Sequence, residues 1–149
     1  MITLKTKVYI TSDKLNLGCG KKKVEGFMGM DIVDYGQEIV WDIRNGIPLP
    51  NDSISEIYST DFIEHLRNED IDNLIHEIIR VCKNGATVQL RCPHSDTDEA
   101  YYSGHLSLWD RRRFCAICKG FSNDTDRILF GSSMIYGKKI TAYLTIEKQ

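Results

Sequence analysis

The sequence predicts an α/β fold in which a mainly parallel sheet is layered with helices, and three observations carry that prediction. Short β-type runs lead into one strongly amphipathic helical stretch and then alternate with helix again. The first run stops abruptly at a Gly-x-Gly turn. The second and third runs each end at an acid, Asp31 and Asp42. Ligands of such sheets bind outside the carboxyl ends of the strands, near the reversal of strand order, so the strand ends are where chemistry is sought.

Residues 14–18 (KLNLG) form the first run, apolar and stopped by glycine. Residues 27–32 form the second and end in Asp31-Ile32. Residues 38–43 (EIVWDI) form the third, with Asp42 near its end. Residues 54–61 (ISEIYSTD) alternate apolar and polar side chains before turning polar, the period of a half-buried strand. In the helix that follows, Ile71, Leu74, Ile75, Ile78, Ile79 and Cys82 recur at spacings of three and four and make one apolar stripe. Asn68 is placed to cap it, Glu69 and Asp70 suit the positive end of its dipole, and Asn84-Gly85 is placed to end it. Residues 86–92 (ATVQLRC) read as a strand closed by Pro93. A second helix is expected over residues 110–119, with Phe114, Ile117 and Cys118 inward and Gly120 at its end. Residues 127–130 and 140–146 read as a closing hairpin that turns through Tyr136-Gly137.

The chain's 149 residues are expected to form a single domain, residues 1–149, without linker or repeat. With 42% hydrophobic and 27% charged residues, the composition is globular and leaves no large part to disorder. A net charge of −2 excludes an overall electrostatic pull on nucleic acid. A local basic patch stays compatible with that balance; Arg111-Arg112-Arg113 could meet a phosphate- or carboxylate-bearing substrate, but it and Lys21-Lys22-Lys23 read first as solvated surface. No apolar run has the length of a bilayer span, and residues 1–10 lack the apolar core of a signal peptide, so a soluble cytoplasmic protein is expected. The five cysteines, odd in number and irregularly spaced, fit reduced thiols. Cys115-x-x-Cys118 lacks a second closely spaced ligand pair, so no metal site is expected.

The glycine turn is where a ligand is expected. In Leu17-Gly18-Cys19-Gly20 the first glycine permits a sharp turn, and the second lets the backbone approach a ligand with no side chain between. Successive N–H groups there can hold an anionic group. Asp31, at the next strand end, can accept both hydroxyl protons of a ribose. Asp42, at the third, can accept a hydrogen bond from an adenine amino group. A nucleoside lying across the three strand ends accounts for all of these features together.

LNLGCG, then GFMGMDI, then VWDIRNGIPLPNDSISEIYSTDFIEHL, with RVCKNGATVQLRCP and GHLSLWDRRRF further on, resemble the class I S-adenosylmethionine-dependent methyltransferases. More narrowly they resemble the small type 11 methyltransferase-domain group, over residues 14–121. The resemblance implies a Rossmann-like three-layer sandwich: a mainly parallel seven-stranded sheet with a C-terminal antiparallel hairpin. Its first helix would be shortened, since only Lys21 to Gly26 lie between the first two strands. It implies S-adenosylmethionine as cofactor and methyl transfer by in-line displacement. Leu17, Gly18, Cys19 and Gly20 would cradle the methionine part, and Asp31 would bind the ribose. Ile32 would flank the adenine, and Asp42 and Ile43 would contact its edge. Ser59 and Thr60 would lie beneath the methionine, with Asp61 beside them. Glu64-His65-Leu66 matches the group's E-H-L. Asn16 stands where the group usually has an acid, and Lys21-Lys22 where it has a third small residue.

In-line displacement depends on positioning, and needs a base only when the acceptor must lose a proton. His65 and His105 are the candidates for that role. His94, Tyr101 and Tyr102 lie in the long stretch 93–106 and are candidates for acceptor contact, with Asp61 and Asp96 at the same end. The acceptor is not identified, a small molecule being favoured over nucleic acid. The short N-terminal segment leaves the site open for a partner or a second copy to cover. Two other readings share the glycine turn: a non-catalytic cofactor-binding module and an NAD-dependent oxidoreductase. The latter requires a small residue at Lys23 and a helix N-terminus for the pyrophosphate.

Overall fold

The computed structural model describes residues 6–149, so the leader-free start expected over residues 1–10 lies partly outside the described residues. Eight strands form one sheet: β1 (Lys7–Val8), β2 (Lys14–Leu17), β3 (Met28–Asp31), β4 (Ile39–Val40), β5 (Ile54–Thr60), β6 (Cys82–Pro93), β7 (Asp126–Tyr136) and β8 (Lys139–Lys148). Two α-helices accompany them, α1 (Asn68–Val81) and α2 (Arg111–Phe121). The strand order is β1-β4-β3-β2-β5-β6-β8-β7. The five strands from β4 to β6 are mutually parallel, while β8 and β7 close the sheet as an antiparallel hairpin. The chain therefore builds outward from β2 to β4, then returns and builds the other way from β5. The reversal falls between β2 and β5, where ligands of open α/β sheets bind.

The sheet matches the expected fold in its parallel centre and closing hairpin. The eighth strand is β1, a two-residue edge piece antiparallel to β4. On β5 the buried Ile57 and Ser59 alternate with half-buried Glu56, Tyr58 and Thr60, and on β6 Val88, Leu90 and Cys92 alternate with Gln89 and Arg91. On β8 the inward set is Ala142, Leu144 and Ile146. These apolar residues meet α1 and α2, which lie side by side. His76 and Phe121 stack edge to face at 4.9 Å, and Arg113 reaches Asn68 across 2.9 Å. Both α-helices thus cover one face. The connections 18–27 and 32–38 are too short to carry helices over the other, which keeps a polar surface and makes the second helical layer absent among the described residues.

α1 buries five of the six residues of the stripe read from its period, Ile71, Leu74, Ile75, Ile78 and Ile79, while the sixth, Cys82, lies in β6. Its ends differ from expectation. Arg67 holds the cap position with no side-chain bond, and the Asn68 Oδ1 accepts instead from the Arg113 guanidinium. The helix stops at Val81, three residues before Asn84. Cys82 is drawn into register with Ile54 of β5, so ladder pairing outweighs helix propensity there. At α2 the cap is Asp110, whose Oδ1 accepts the Arg113 N–H at 2.8 Å and offsets the cations in that first turn. Arg113 also stacks 4.4 Å over Trp109 and donates to the Leu108 carbonyl, so this arginine packs into the fold, whereas Arg111 and Arg112 are exposed. All five cysteines are free thiols. No helix among the described residues is long and apolar enough to cross a membrane.

Candidate functional site

At the carboxyl ends of β2, β3 and β5 the chain leaves a crevice of about 680 Å³, within the size range of small-molecule and cofactor sites. It begins at the glycine turn. Gly18 and Gly20 have φ of 62° and 54°, the left-handed region where side chains are strained. A Cβ on Gly18 would lie 2.2 Å from the Phe62 ring, so the absence of a side chain is what lets Phe62 close on the turn. A Cβ on Gly20 would meet no protein atom within 4 Å, so the bare backbone there faces open space.

Asp31 holds the turn in place. Its Oδ2 accepts the Gly20 N–H at 2.9 Å and its Oδ1 accepts the Val33 N–H at 3.1 Å. A carboxylate has about four acceptor positions, so half of them stay available to a ligand. Asp42 is differently engaged. Its carboxylate takes the Arg44 guanidinium at 2.7 to 3.1 Å and the Arg44 N–H at 3.0 Å. The Arg44 bonds hold its pKa below the usual carboxylate value.

Of the residues singled out from the sequence, Gly18, Gly20, Asp31, Ile32, Asp42, Ile43 and His65 line the crevice together with Asp61. Leu17, Cys19, Ser59 and Thr60 do not. Leu17 is wholly in the core, and Ser59 is 1% exposed with its hydroxyl donating to the Leu17 carbonyl. Thr60 points to the other face and donates to the Tyr58 hydroxyl. The Cys19 side chain turns into a second, smaller cavity beside Gly29 and Gln37. Burial raises its thiol to about 11. His94, Tyr101, Tyr102 and His105 also lie outside the crevice wall. His94 accepts the Asp96 N–H in a local turn. Tyr101 and Tyr102 are exposed, and His105 packs edge to face on His65 at 4.8 Å.

The sequence reading missed the apolar lining of Trp41, Phe62, Leu66 and Leu106 and the charged rim of Arg67, Glu69 and Asp70. Trp41 and Phe62 stand directly beside Asp42 and Asp61, so adjacency to a strand-end acid was the available signal. Leu106 had none, since only the return of residues 93–106 over the site brings it there. His65 occupies the end of the crevice near Leu106. Its Nδ1–H donates to the Gly104 carbonyl at 3.0 Å. Two further bonds, from the Leu106 and Ser107 N–H groups to the Glu64 carbonyl, pin the same segment down. The wall carries five carboxylates (Asp31, Asp42, Asp61, Glu69, Asp70) against two guanidiniums (Arg44, Arg67). Such a crevice favours a cation and disfavours a polyanion.

No family model and no curated protein matches the chain. Solved structures do. A SAM-dependent methyltransferase from Archaeoglobus fulgidus has a TM-score of 0.69 at 13% identity, over 89% of this chain and 85% of that one. Another, from Aquifex aeolicus, has a TM-score of 0.67 at 18% identity, over 89% of this chain and 80% of that one. Phosphoethanolamine N-methyltransferase 1 of Haemonchus contortus, in complex with phosphoethanolamine and S-adenosylhomocysteine, has a TM-score of 0.73 at 8% identity. That match covers 98% of this chain and 41% of the enzyme. At such identities the likeness establishes the fold, that of the class I S-adenosylmethionine-dependent methyltransferases.

Proposed function

We propose that this chain binds S-adenosylmethionine across the ends of β2, β3 and β4 and transfers a methyl group to an acceptor brought to the His65 end of the crevice. One observation carries the reading: a turn bared by Gly18 and Gly20 opens onto an acid-rich crevice at the point where strand order reverses. The residues present fit the cofactor. Gly20 offers unobstructed backbone for the methionine part, Asp31 keeps acceptor capacity for a ribose, and the carboxylate excess suits a ligand carrying a sulfonium. Ile32, Asp42 and Ile43 are the residues we assign to the adenine, Asp42 sharing its carboxylate with Arg44. When bound, the cofactor supplies a methyl group already activated for displacement. What this chain adds is orientation. Phe62 and Leu106 shield the end of the crevice, and His65, half exposed beside them, can take a proton from an acceptor.

The NAD reading fares worse on the same ground. A pyrophosphate would meet the carboxylate excess without a helix N-terminus after β2 to receive it. Isothermal titration calorimetry separates the two: heat with S-adenosylhomocysteine and none with NADH is expected, and the reverse removes the methyltransferase reading. A second reading, a binding module completed by a partner or second copy, is favoured by one observation. Tyr101, Tyr102 and Leu106 are 70%, 55% and 54% exposed on the segment beside the site. Sedimentation with and without S-adenosylhomocysteine, followed by assay of methyl transfer, decides between them. Five free thiols support a reducing compartment, so we place the protein in the cytoplasm.

A further inference from the structure

Four buried polar side-chain atoms lack a hydrogen-bond partner among the described residues: both Glu64 carboxyl oxygens, His105 Nδ1 and Trp41 Nε1. Buried polar groups are paired as a rule, so three such atoms on two residues that both adjoin His65 require an explanation. Glu64 is 1% exposed, and its Oε1 lies 3.8 Å from His65 Nε2. The groups facing it are Asp61 at the end of β5, Cys92 on β6, Glu99 on the segment after β6, and Lys139 on β8. Lys139, the one cation of that set, is engaged by Asp61 and Glu99. Glu64 therefore has no permanently charged partner, and a bare buried carboxylate is costly. An acid form removes that cost and needs an acceptor for its hydrogen. His65 provides one. Its Nδ1 carries the hydrogen donated to Gly104, which leaves Nε2 as the acceptor. A separation of 3.8 Å exceeds a hydrogen bond, but a small side-chain rotation or one bridging water closes it.

We propose that Glu64 is a positioning residue that shares one proton with His65 Nε2, and that the pair serves an acceptor whose attacking oxygen or nitrogen bears a proton. This rests on the methyltransferase reading. The pair first releases its shared proton to solvent, which leaves Glu64 a carboxylate and His65 Nε2 free. As the acceptor atom gains its methyl group it sheds its own proton to Nε2, and the Glu64 carboxylate balances the imidazolium that forms. The proton leaves to solvent through the half-exposed ring. The acceptor class that follows is a hydroxyl or amine. A thiolate or an already deprotonated carbon would make no use of the pair.

Burial, reinforced by the Asp61 charge, pushes Glu64 up to about 8, so the pair is poised where a base works near neutral pH. The test is an NMR titration of the full chain without cofactor, following the Glu64 carboxyl carbon and the His65 ring nitrogens. The Glu64 carbon is expected to inflect near about 8, and the His65 ring nitrogens to register that same Glu64 step. In Glu64→Gln, which keeps shape and volume, His65 loses that inflection. A Glu64 midpoint in the ordinary carboxylate range, or a His65 curve unchanged in Glu64→Gln, overturns the proposal. Calorimetry with S-adenosylhomocysteine keeps the two failures apart. Heat without a shared inflection sinks this assignment alone, whereas a shared inflection without heat sinks the reading beneath it.

Discussion

At the scale of single residues, the two glycines of the turn make opposite predictions. Gly18→Ala drives a methyl group into the Phe62 ring, so a loss of stability that displaces Phe62 is expected. Gly20→Ala meets no protein atom, and its cost is the left-handed backbone alone, about 1–2 kcal/mol. It should fold, melt slightly lower, and bind S-adenosylhomocysteine far more weakly, because the new Cβ stands in the cradle. Full affinity in a folded Gly20→Ala protein would place the ligand elsewhere. Asp31→Ala should weaken binding by about 1–3 kcal/mol in the same titration, through lost bonds to the ligand and a freed Gly20 N–H. These positions were readable from sequence because a glycine's backbone freedom and a strand-end acid are local properties. Ser59 and Thr60 were not correctly oriented by the same logic. Their directions follow from strand alternation, which sends Ser59 to the core and Thr60 to the opposite face. Glu64 was visible only as part of a motif. Its significance lies in what fails to pair with it, and that is a tertiary fact.

Elements are joined by contacts that no period reveals. The segment 47–51 has no strand or helix of its own, yet it is sewn to α1 by one ion pair. Glu77 accepts the Ile47 N–H at 2.9 Å and the Arg80 Nε–H at 2.5 Å. Arg80 in turn donates to the Ile47 and Leu49 carbonyls and to Asn51. The Arg80 bond holds Glu77 below the usual carboxylate value, so the tie persists well into the acid range. Glu77→Ala should cost about 1–3 kcal/mol, more than an exposed ion pair gives, since Ile47 and Arg80 lose a partner together. Chemical denaturation at neutral pH reads this out, and a change confined to a few tenths would show the segment to be held by its apolar residues instead. The amphipathic stripe of α1 was legible from Ile71 to Ile79, whereas its end was not, and Cys82, read as its last member, belongs to β6. Propensity placed the stop at Asn84-Gly85, but pairing of Cys82 with Ile54 ends the helix at Val81. Long-range ladder formation decided a boundary that local rules had assigned to glycine.

The whole molecule carries a buried acid at the edge of its site, and that choice sets the pH dependence of its stability. Glu64 moves from an ordinary 4.5 in the unfolded chain to about 8 in the folded one, chiefly through burial. A group whose folded value is raised binds more protons folded than unfolded between those limits. Its contribution to stability is therefore complete below 4.5 and is lost as pH rises through about 8. At about 1.4 kcal/mol per unit, the loss is on the order of a few kcal/mol. Asp42 and Glu77, held low by Arg44 and Arg80, act in the opposite sense and lose their contribution on acidification. The melting temperature should consequently fall from mildly acidic to alkaline pH, by more than the surface charges alone would produce. Glu64→Gln supplies the control. It should melt close to wild type below pH 4.5, where Glu64 is neutral folded and unfolded, and increasingly above wild type as pH rises from there through about 8, where only the wild type must ionise a buried carboxyl. Parallel melting curves for the two proteins across that range would mean that water already reaches Glu64. Superposition in acid with divergence in alkali would mean that the fold tolerates a destabilising acid in the place where the site needs a base.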